Sequence, residues 1–442
     1  MKGKNKFWCS LLGLLFCSIV SAQRTLTFED CIIIALKNNL TLKNSRISEK
    51  IANYQLNNSK TKLLPSIDAS VSNNYSWGRG VDPNTNSYIN QQFKSYNGNI
   101  GSSFILFNGF SNITGIKIAK QELELNKTIT QKIKNEITID IASKFINVLF
   151  LQEIIKSNED QIKSSTRQLE IIQIKFEQGY LLESEIFKIK SQKASEELTL
   201  INNKNLLSMN LLDIKQFLNL PLEEEILLIS PQEKLFSKID IQSNNITIVE
   251  NAASLNPGYL IMKINEQKAK LNIAYTKSSR YPTVASNFNL SSTYSNSNPF
   301  QNFNDQVNNN LSYGLSFSLL IPIFSQLNNH FKIKESKLIY EKSKNETQIE
   351  KNRLSKVIIQ AINDANASFT KYEASVLSYD FSKKSYEADL LKFELGKMSV
   401  SELLITKNNF VNAQSQLIQA KYELHYNQSV VNFYRDNVFR LE

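Results

Sequence analysis

Residues 67–77 read IDASVSNNYSW, with Ile67, Ala69, Val71, Asn73, Tyr75 and Trp77 on the odd positions and Asp68, Ser70, Ser72, Asn74 and Ser76 on the even ones. A period of two is the pattern of a strand with one apolar and one polar face. From Tyr96 to Phe107 the pattern returns, with Tyr96, Ile100, Phe104 and Leu106 on one parity and Asn97, Asn99, Gly101 and Ser103 on the other. Two later stretches do the same. Val284, Phe288, Leu290 and Tyr294 stand against Asn287, Asn289, Ser291 and Thr293, and Tyr313, Leu315, Phe317, Leu319 and Ile321 stand against Ser312, Gly314, Ser316 and Ser318.

The later pair is a second copy of the first. At an offset of 217 residues, Asn39 aligns with Asn256, Ala52 with Ala269, Pro65 with Pro282, Tyr96 with Tyr313 and Phe107 with Phe324. The same offset carries Ile116-Lys117 onto Ile333-Lys334, Phe176-Glu177 onto Phe393-Glu394, Gly179 onto Gly396 and Ser184-Glu185 onto Ser401-Glu402. A period this long is a domain duplication, since solenoid repeats run to 20–50 residues.

Each copy has the same order of parts. A helical segment (28–63; 246–280) stops before Pro65 or Pro282, which lead into the strands because proline cannot continue a helix and biases its predecessor to extended geometry. The first repeat, 23–220, has strands at 66–77 and 96–107 and helices at 112–178 and 181–219. The second, 246–442, has strands at 283–295 and 311–324 and helices at 327–395 and 398–435. Loops rich in Gly, Asn, Asp, Ser and Pro join the strands (78–95; 296–310), and segment 221–245 joins the copies and is expected to wrap the waist of the assembly. Neither Gly nor Pro occurs at 116–178 or 327–395, so each long helix extends roughly 90 to 100 Å.

Heptad seams run along these helices. Val148, Leu151, Ile155, Asn158, Ile162, Ser165, Leu169, Ile172 and Phe176 alternate steps of three and four. In the second copy Ala365, Tyr372, Tyr379, Tyr386 and Phe393 recur every seven residues, with Ser368, Ser375, Ser382 and Asp389 between them. The last helix adds Leu403, Phe410, Leu417, Leu424 and Val431, with Ala413 and Ala420 interleaved. Packing between helices accounts for all of them.

At the N-terminus, Lys2, Lys4 and Lys6 precede an apolar run from Phe7 to Val20 and a small-residue cleavage site at Val20-Ser21-Ala22. This is a secretory leader, residues 1–22. Phe16 before Cys17 argues against a lipoprotein. Cleavage removes three lysines, lowering the net charge from +10 to +7, and leaves Cys31 as the one cysteine.

The composition excludes several functions. The 12 glycines do not form phosphate-binding loops, and two His and three Cys leave almost nothing for a metal site or nucleophilic catalysis. His330 and His425 lie in helical segments as surface or packing residues, and Cys31 beside Ile32–Ile34 reads as a small buried hydrophobe. The chain is read as no enzyme, with no cofactor and no metal. Export and the absence of a basic cluster in the sequence argue against nucleic acid.

No later segment has 18 uninterrupted apolar residues, so a membrane would be entered by strands. Four strands cannot close a barrel, because the smallest membrane barrels have about eight and an open edge in lipid leaves backbone groups unpaired. Two chains would give a filled barrel of eight strands; three would give twelve strands around a lumen lined by the polar parity. The competing reading is a secreted structural or adhesive coiled-coil protein with a small sheet packed on it and no channel activity.

With the layout helix, proline, strand pair, long helix, Gly-containing turn and helix, all repeated once, the chain resembles the TolC family of outer-membrane efflux proteins. The segments FEQGYLLESE (176–185) and FELGKMSVSE (393–402) carry the resemblance together with the duplication. It implies a mainly α fold in which four strands per chain build a 12-stranded barrel in a homotrimer, above a helical periplasmic tunnel. It further implies an exit duct in the outer membrane of a Gram-negative bacterium, working with a periplasmic adaptor and an inner-membrane pump of RND, ABC or MFS type. By position, Gly179 and Gly396 are the tip turns. Tyr180, Leu181, Leu182, Lys397, Met398 and Ser399 are the adaptor-facing tip surface. Glu185 and Glu402 are acids of the periplasmic entrance, and Lys188 and Ile405 stand where a second acid can occur.

Overall fold

The computed structural model describes residues 24–82, 86–229, 252–297, 300–436 and 439; the leader at 1–22 and most of the joining segment, 230–245, lie outside them. Along the chain run β1 (Arg24–Leu26), α1 (Phe28–Asn38), α2 (Leu40–Thr61), β2 (Ser66–Ser76), β3 (Arg79–Val81), β4 (Tyr88–Asn90), β5 (Phe93–Asn108), α3 (Ser111–Glu177) and α4 (Glu183–Leu218). There follow β6 (Ile226–Leu228), α5 (Pro257–Ser278), β7 (Thr283–Ser295), α6 (Phe303–Asn309), β8 (Ser312–Leu320), α7 (Asn328–Glu394) and α8 (Val400–Asp436). The chain divides into a sheet unit, Asn44–Gln131 with Pro257–Asn352, and a helical unit, Met1–Lys43 with Lys132–Asn256 and Arg353–Glu442. Both units draw on both copies: in the sheet each copy pairs its own two strands, β2 with β5 and β7 with β8, and β5–β7 joins the copies.

In the sheet unit the order is β2-β5-β7-β8, antiparallel throughout. The register sets Ala69 opposite Ile100, Tyr96 opposite Tyr294, Ile100 opposite Leu290, Leu290 opposite Tyr313 and Phe288 opposite Leu315. Facing residues in adjacent strands share a side of the sheet, so one face is apolar. Ser72–Asn97, Asn97–Thr293, Asn99–Ser291 and Ser291–Ser312 are partners on the other.

Several boundaries depart from the sequence reading. β8 ends at Leu320, short of 324, because Pro322 has no N–H for a ladder and Gln326 and Leu327 turn the chain with positive φ. A bulge between Ile105 and Phe107 sets Phe107 opposite Val284; the parity through Leu106 therefore breaks at the end of β5, as an inserted residue requires. The segment read as one helix over 28–63 is two. Asn39 ends α1 with φ −57° and ψ 124° and caps the next helix, its Oδ1 accepting from Leu42 N at 3.1 Å. The loop at 78–95 contains the β3–β4 hairpin, and that at 296–310 contains α6, whose buried Gln306 accepts from Ser295 N at 2.9 Å and donates to Gln301 O at 3.0 Å.

The helical unit is built on a core of Phe28, Cys31, Ala35 and Leu42 from α1 and α2 against Ile141, Phe145, Val148 and Leu149 of α3 and Ile214 and Leu218 of α4. Phe28 meets Phe145 edge to face at 5.6 Å. A Thr27–Asp30 capping box starts α1. Burial pushes the Cys31 thiol up to about 12, which fits its reading as an inert hydrophobe. The joining segment begins as a strand: β6 pairs in parallel with β1, and Arg24 bonds Glu224 at 3.2 Å. The sequence gives no sign of a strand there, because three residues are too short to show a period.

Candidate functional site

The sheet unit offers the first candidate surface. Its apolar face is open, with Val71 83% and Tyr313 78% exposed and Ile67, Leu315, Phe317 and Leu319 similarly bare. On the polar face the side chains bond across the strands: Thr293 Oγ1 donates to Asn97 Oδ1 at 2.9 Å, and Ser291 and Ser312 hydroxyls lie 3.0 Å apart. β2 and β8 are the outer strands of this sheet, each paired on one side. A sheet with a bare apolar face and two open edges is unfit for water unless something covers both.

Pro65 lies between α2 and β2, and Pro282 between α5 and β7. The turns before them are copies of one another. Leu63 N donates to Lys60 O and Leu64 N to Thr61 O, as Arg280 N does to Lys277 O and Tyr281 N to Ser278 O. Gly109, at φ +62°, packs against the second of these junctions, where a Cβ would fall 2.5 Å from Ser278 O and 2.8 Å from Tyr281 Cβ.

The helical unit holds the second candidate surface, the two helix–turn–helix tips. Gly179 (φ +79°) and Gly396 (φ +72°) each close a Schellman motif. Gly179 N donates to Phe176 O and Tyr180 N to Lys175 O; Gly396 N donates to Phe393 O and Lys397 N to Lys392 O. A cluster of Ile172, Ile186, Ile189, Phe393, Val400 and Leu403 lies beneath, and Leu181 and Met398 pack onto it. Tyr180 and Leu182 point away, 76% and 74% exposed.

The two tips differ in chemistry. Ser399 and Glu402 form a capping box at the start of α8: Ser399 N and Oγ donate to Glu402 Oε2 at 3.0 and 2.8 Å, and Glu402 N donates to Ser399 Oγ at 3.3 Å. These bonds, the backbone one first, hold the Glu402 carboxyl below the usual carboxylate range. At the first tip Leu182 offers no side-chain cap, and Glu185 instead accepts from Lys188 Nζ at 2.8 Å; Lys188 also donates to Ser401 Oγ at 2.8 Å, tying the tips together. Each acid read as an entrance residue is thus engaged within its own tip.

Three interactions escaped the sequence reading. Lys175 Nζ donates to the carbonyls of Phe393 and Glu394 at 2.8 and 3.1 Å and sits 4.6 Å over the Phe393 ring, so a cation of the first copy caps the C-terminus of α7. Lys407 of α8 is buried against Glu196 of α4 and Ser165 of α3, and Ser165 Oγ donates to Glu196 Oε2 at 2.5 Å. Nearby, Gln168 Nε2 donates to the Tyr386 hydroxyl at 2.5 Å, and the Tyr386 ring stacks on Phe410 with centroids 5.5 Å apart. The signal for Lys407 was present: it lies four residues after Leu403 and seven after Val400, on the face that packs.

Bare amphipathic strands, duplicated long helices and paired glycine tips define the class of fold, a four-stranded amphipathic sheet carried on long helical hairpins. Residues 32–219 match the profile of the outer membrane efflux protein family. No curated protein sequence matches the chain. Among solved structures the fold is similar to CusC (TM-score 0.80, 12% identity, 92% of this chain and 91% of that one), whose crystal structures concern transmembrane channel formation. It is also similar to the CmeC outer membrane channel of Campylobacter jejuni (TM-score 0.79, 16% identity, 94% and 86%) and the outer membrane protein VceC of Vibrio cholerae (TM-score 0.79, 11% identity, 93% and 97%). The family match is confined to residues 32–219, and the likeness to these channel structures, at 92–94% of the chain, extends the shared fold over both copies.

Proposed function

We propose that three copies of the chain close one 12-stranded barrel in the outer membrane of a Gram-negative bacterium. The assembly is a passive exit duct for cargo handed over by an inner-membrane pump through a periplasmic adaptor. The observation that carries this reading is the four-stranded sheet, apolar on one face, polar on the other and open at β2 and β8. Three such sheets joined edge to edge satisfy every strand, turn the apolar face to lipid and enclose a lumen of Ser, Asn and Thr. In this reading Gly179 and Gly396 with Tyr180, Leu181, Leu182, Lys397, Met398 and Ser399 form the adaptor-docking tips, and Glu185 and Glu402 stand at the periplasmic entrance.

The test is reconstitution of the mature chain in planar bilayers. The duct requires detergent for extraction and conducts ions as a trimer; a water-soluble, non-conducting chain would favour the structural coiled-coil reading.

A further inference from the structure

The helix ends that adjoin the sheet carry an unpaired positive collar. All four helix–strand junctions of the sheet unit lie at one end of the sheet: Asn112 Nδ2 donates to Lys62 O at 3.4 Å, Asn329 Nδ2 donates to Ser279 O at 3.1 Å, and Gly109 packs against Ser278 and Tyr281. The strand register agrees, since Asn108, Thr283 and Leu320 stand side by side there. Lys60 and Lys62 lie at the end of α2, and Lys277 and Arg280 at the end of α5. Lys117 and Lys120 follow the start of α3, and Lys332, Lys334 and Lys337 follow the start of α7.

All nine side chains are exposed, and none has a hydrogen-bond or ion-pair partner among the described residues. The stretches that hold them (58–65, 109–121, 276–283 and 325–338) contain a single acid, Glu335. Further along the same unit Lys127 pairs with Glu124, Lys268 with Glu122 and Lys342 with Glu346, while Arg46, Lys50 and Lys270 stand as isolated charges among the described residues. The junctions differ in density, nine cations standing with one acid. Lys60, Lys117 and Lys120 recur as Lys277, Lys334 and Lys337 at the 217-residue offset, which places the charge in both copies.

Depth and neighbours say what the collar meets. At 1.5 Å per residue the lysines of α3 and α7 lie roughly 6 to 14 Å into their helices, within reach of a head-group layer when a lysine extends toward it. Directly at the junctions stand Leu64, Phe110, Tyr281 and Phe324, all exposed, the aromatic and apolar belt that ends a lipid-facing strand. An apolar belt followed by unpaired cations matches acyl chain followed by phosphate.

We infer that this collar binds the head groups of anionic phospholipids in the leaflet facing the helices, seating the sheet at a fixed depth. The inference rests on the membrane reading above, and its test keeps the two apart. The mature chain and a variant carrying K60Q, K117Q, K120Q, K277Q, K334Q and K337Q are reconstituted in vesicles of equimolar phosphatidylglycerol and phosphatidylcholine. Both are then re-extracted in mild detergent, and the retained lipid is quantified. The parent retains phosphatidylglycerol several-fold over phosphatidylcholine, and a high-salt wash reduces that ratio; the variant retains the two equally while still conducting. A control with the same charge loss in the helical unit (K163Q, K204Q, K371Q, K383Q, K384Q and K392Q) behaves as the parent.

Equal enrichment in parent and variant, or equal loss in the control, would overturn the assignment. Displacement of the lipid by inorganic phosphate or polyglutamate would mark a general anion surface and would also overturn it. A parent that neither inserts nor conducts would instead refute the membrane reading.

Discussion

Lys407 Nζ lies 2.9 Å from Glu196 Oε1, with the two residues 2% and 7% exposed, inside the helical unit. The pair joins α8 of the second copy to α4 of the first, and Ser165 brings in α3. It cannot form the other way round. At the 217-residue offset Lys407 corresponds to the exposed Lys190 and Glu196 to Ala413. Burial pulls the Lys407 ammonium below its ordinary value, while Glu196 pulls it back. A buried pair adds little net stability but penalises every packing that leaves one charge alone, so this one specifies which hairpin faces which.

Lys407→Met leaves Glu196 buried without its cation and costs about 3–5 kcal/mol, whereas Lys407→Met with Glu196→Leu recovers most of that loss. Thermal unfolding of the detergent-solubilised trimer measures both. A double variant no more stable than the single one would show that the pair does not act as a unit.

At the second tip, Gly396 has positive φ, and a Cβ placed there would meet nothing within 4 Å, so substitution costs backbone conformation alone. Gly396→Val strains the turn by about 1–2 kcal/mol and abolishes export, while Gly396→Asn, which tolerates the left-handed region, retains it. Trimer assembly is unchanged in both. Normal export by the valine variant removes the turn from the docking surface.

The capping box makes the start of α8 pH-sensitive. Because the folded state lowers the Glu402 carboxyl from its usual value of 4.5, its contribution is present above that value and is lost as pH falls through the folded one. Hydrogen exchange at Leu403 N, which donates to Ser399 O, is expected to lose several-fold protection as pH falls below the usual carboxylate range, after correction for the intrinsic rate. Ser399→Ala removes the step.

Tyr180 and Leu182 are exposed, while Leu181 packs on the tip cluster. Tyr180→Ser with Leu182→Ser changes stability by less than about 0.5 kcal/mol and weakens adaptor capture; Leu181→Ser lowers the melting temperature. If both variants lost stability alike, the first pair would be part of the core.

The fold was legible because its two periods are long and uninterrupted. The strand parity at 67–77 and 283–295 and the helices without Gly or Pro leave few alternatives, and the offset locates Gly396 once Gly179 is found. What escaped is short or side-chain dependent. β1, β6 and α6 are too brief to show a period, and the bulge beside Phe107 inverts a parity that looks regular in sequence. Glu402 reads as a free acid unless Ser399 is recognised three residues earlier as its cap. Lys407 and Glu196 look like solvated charges on helices rich in them, and only packing between the copies reveals their burial.

Edge-to-edge closure is tested most directly by cysteine pairs across the open strands of a chain expressed without residues 1–22, whose one remaining cysteine, Cys31, is buried. Ser70→Cys in β2, combined in turn with Ser312→Cys, Gly314→Cys, Ser316→Cys or Ser318→Cys in β8, places both thiols on the polar face. On oxidation at least one pair is expected to give covalent trimers on a denaturing gel, with none from either single variant. Monomers from every pair, at the native mass of one chain, would contradict a shared barrel.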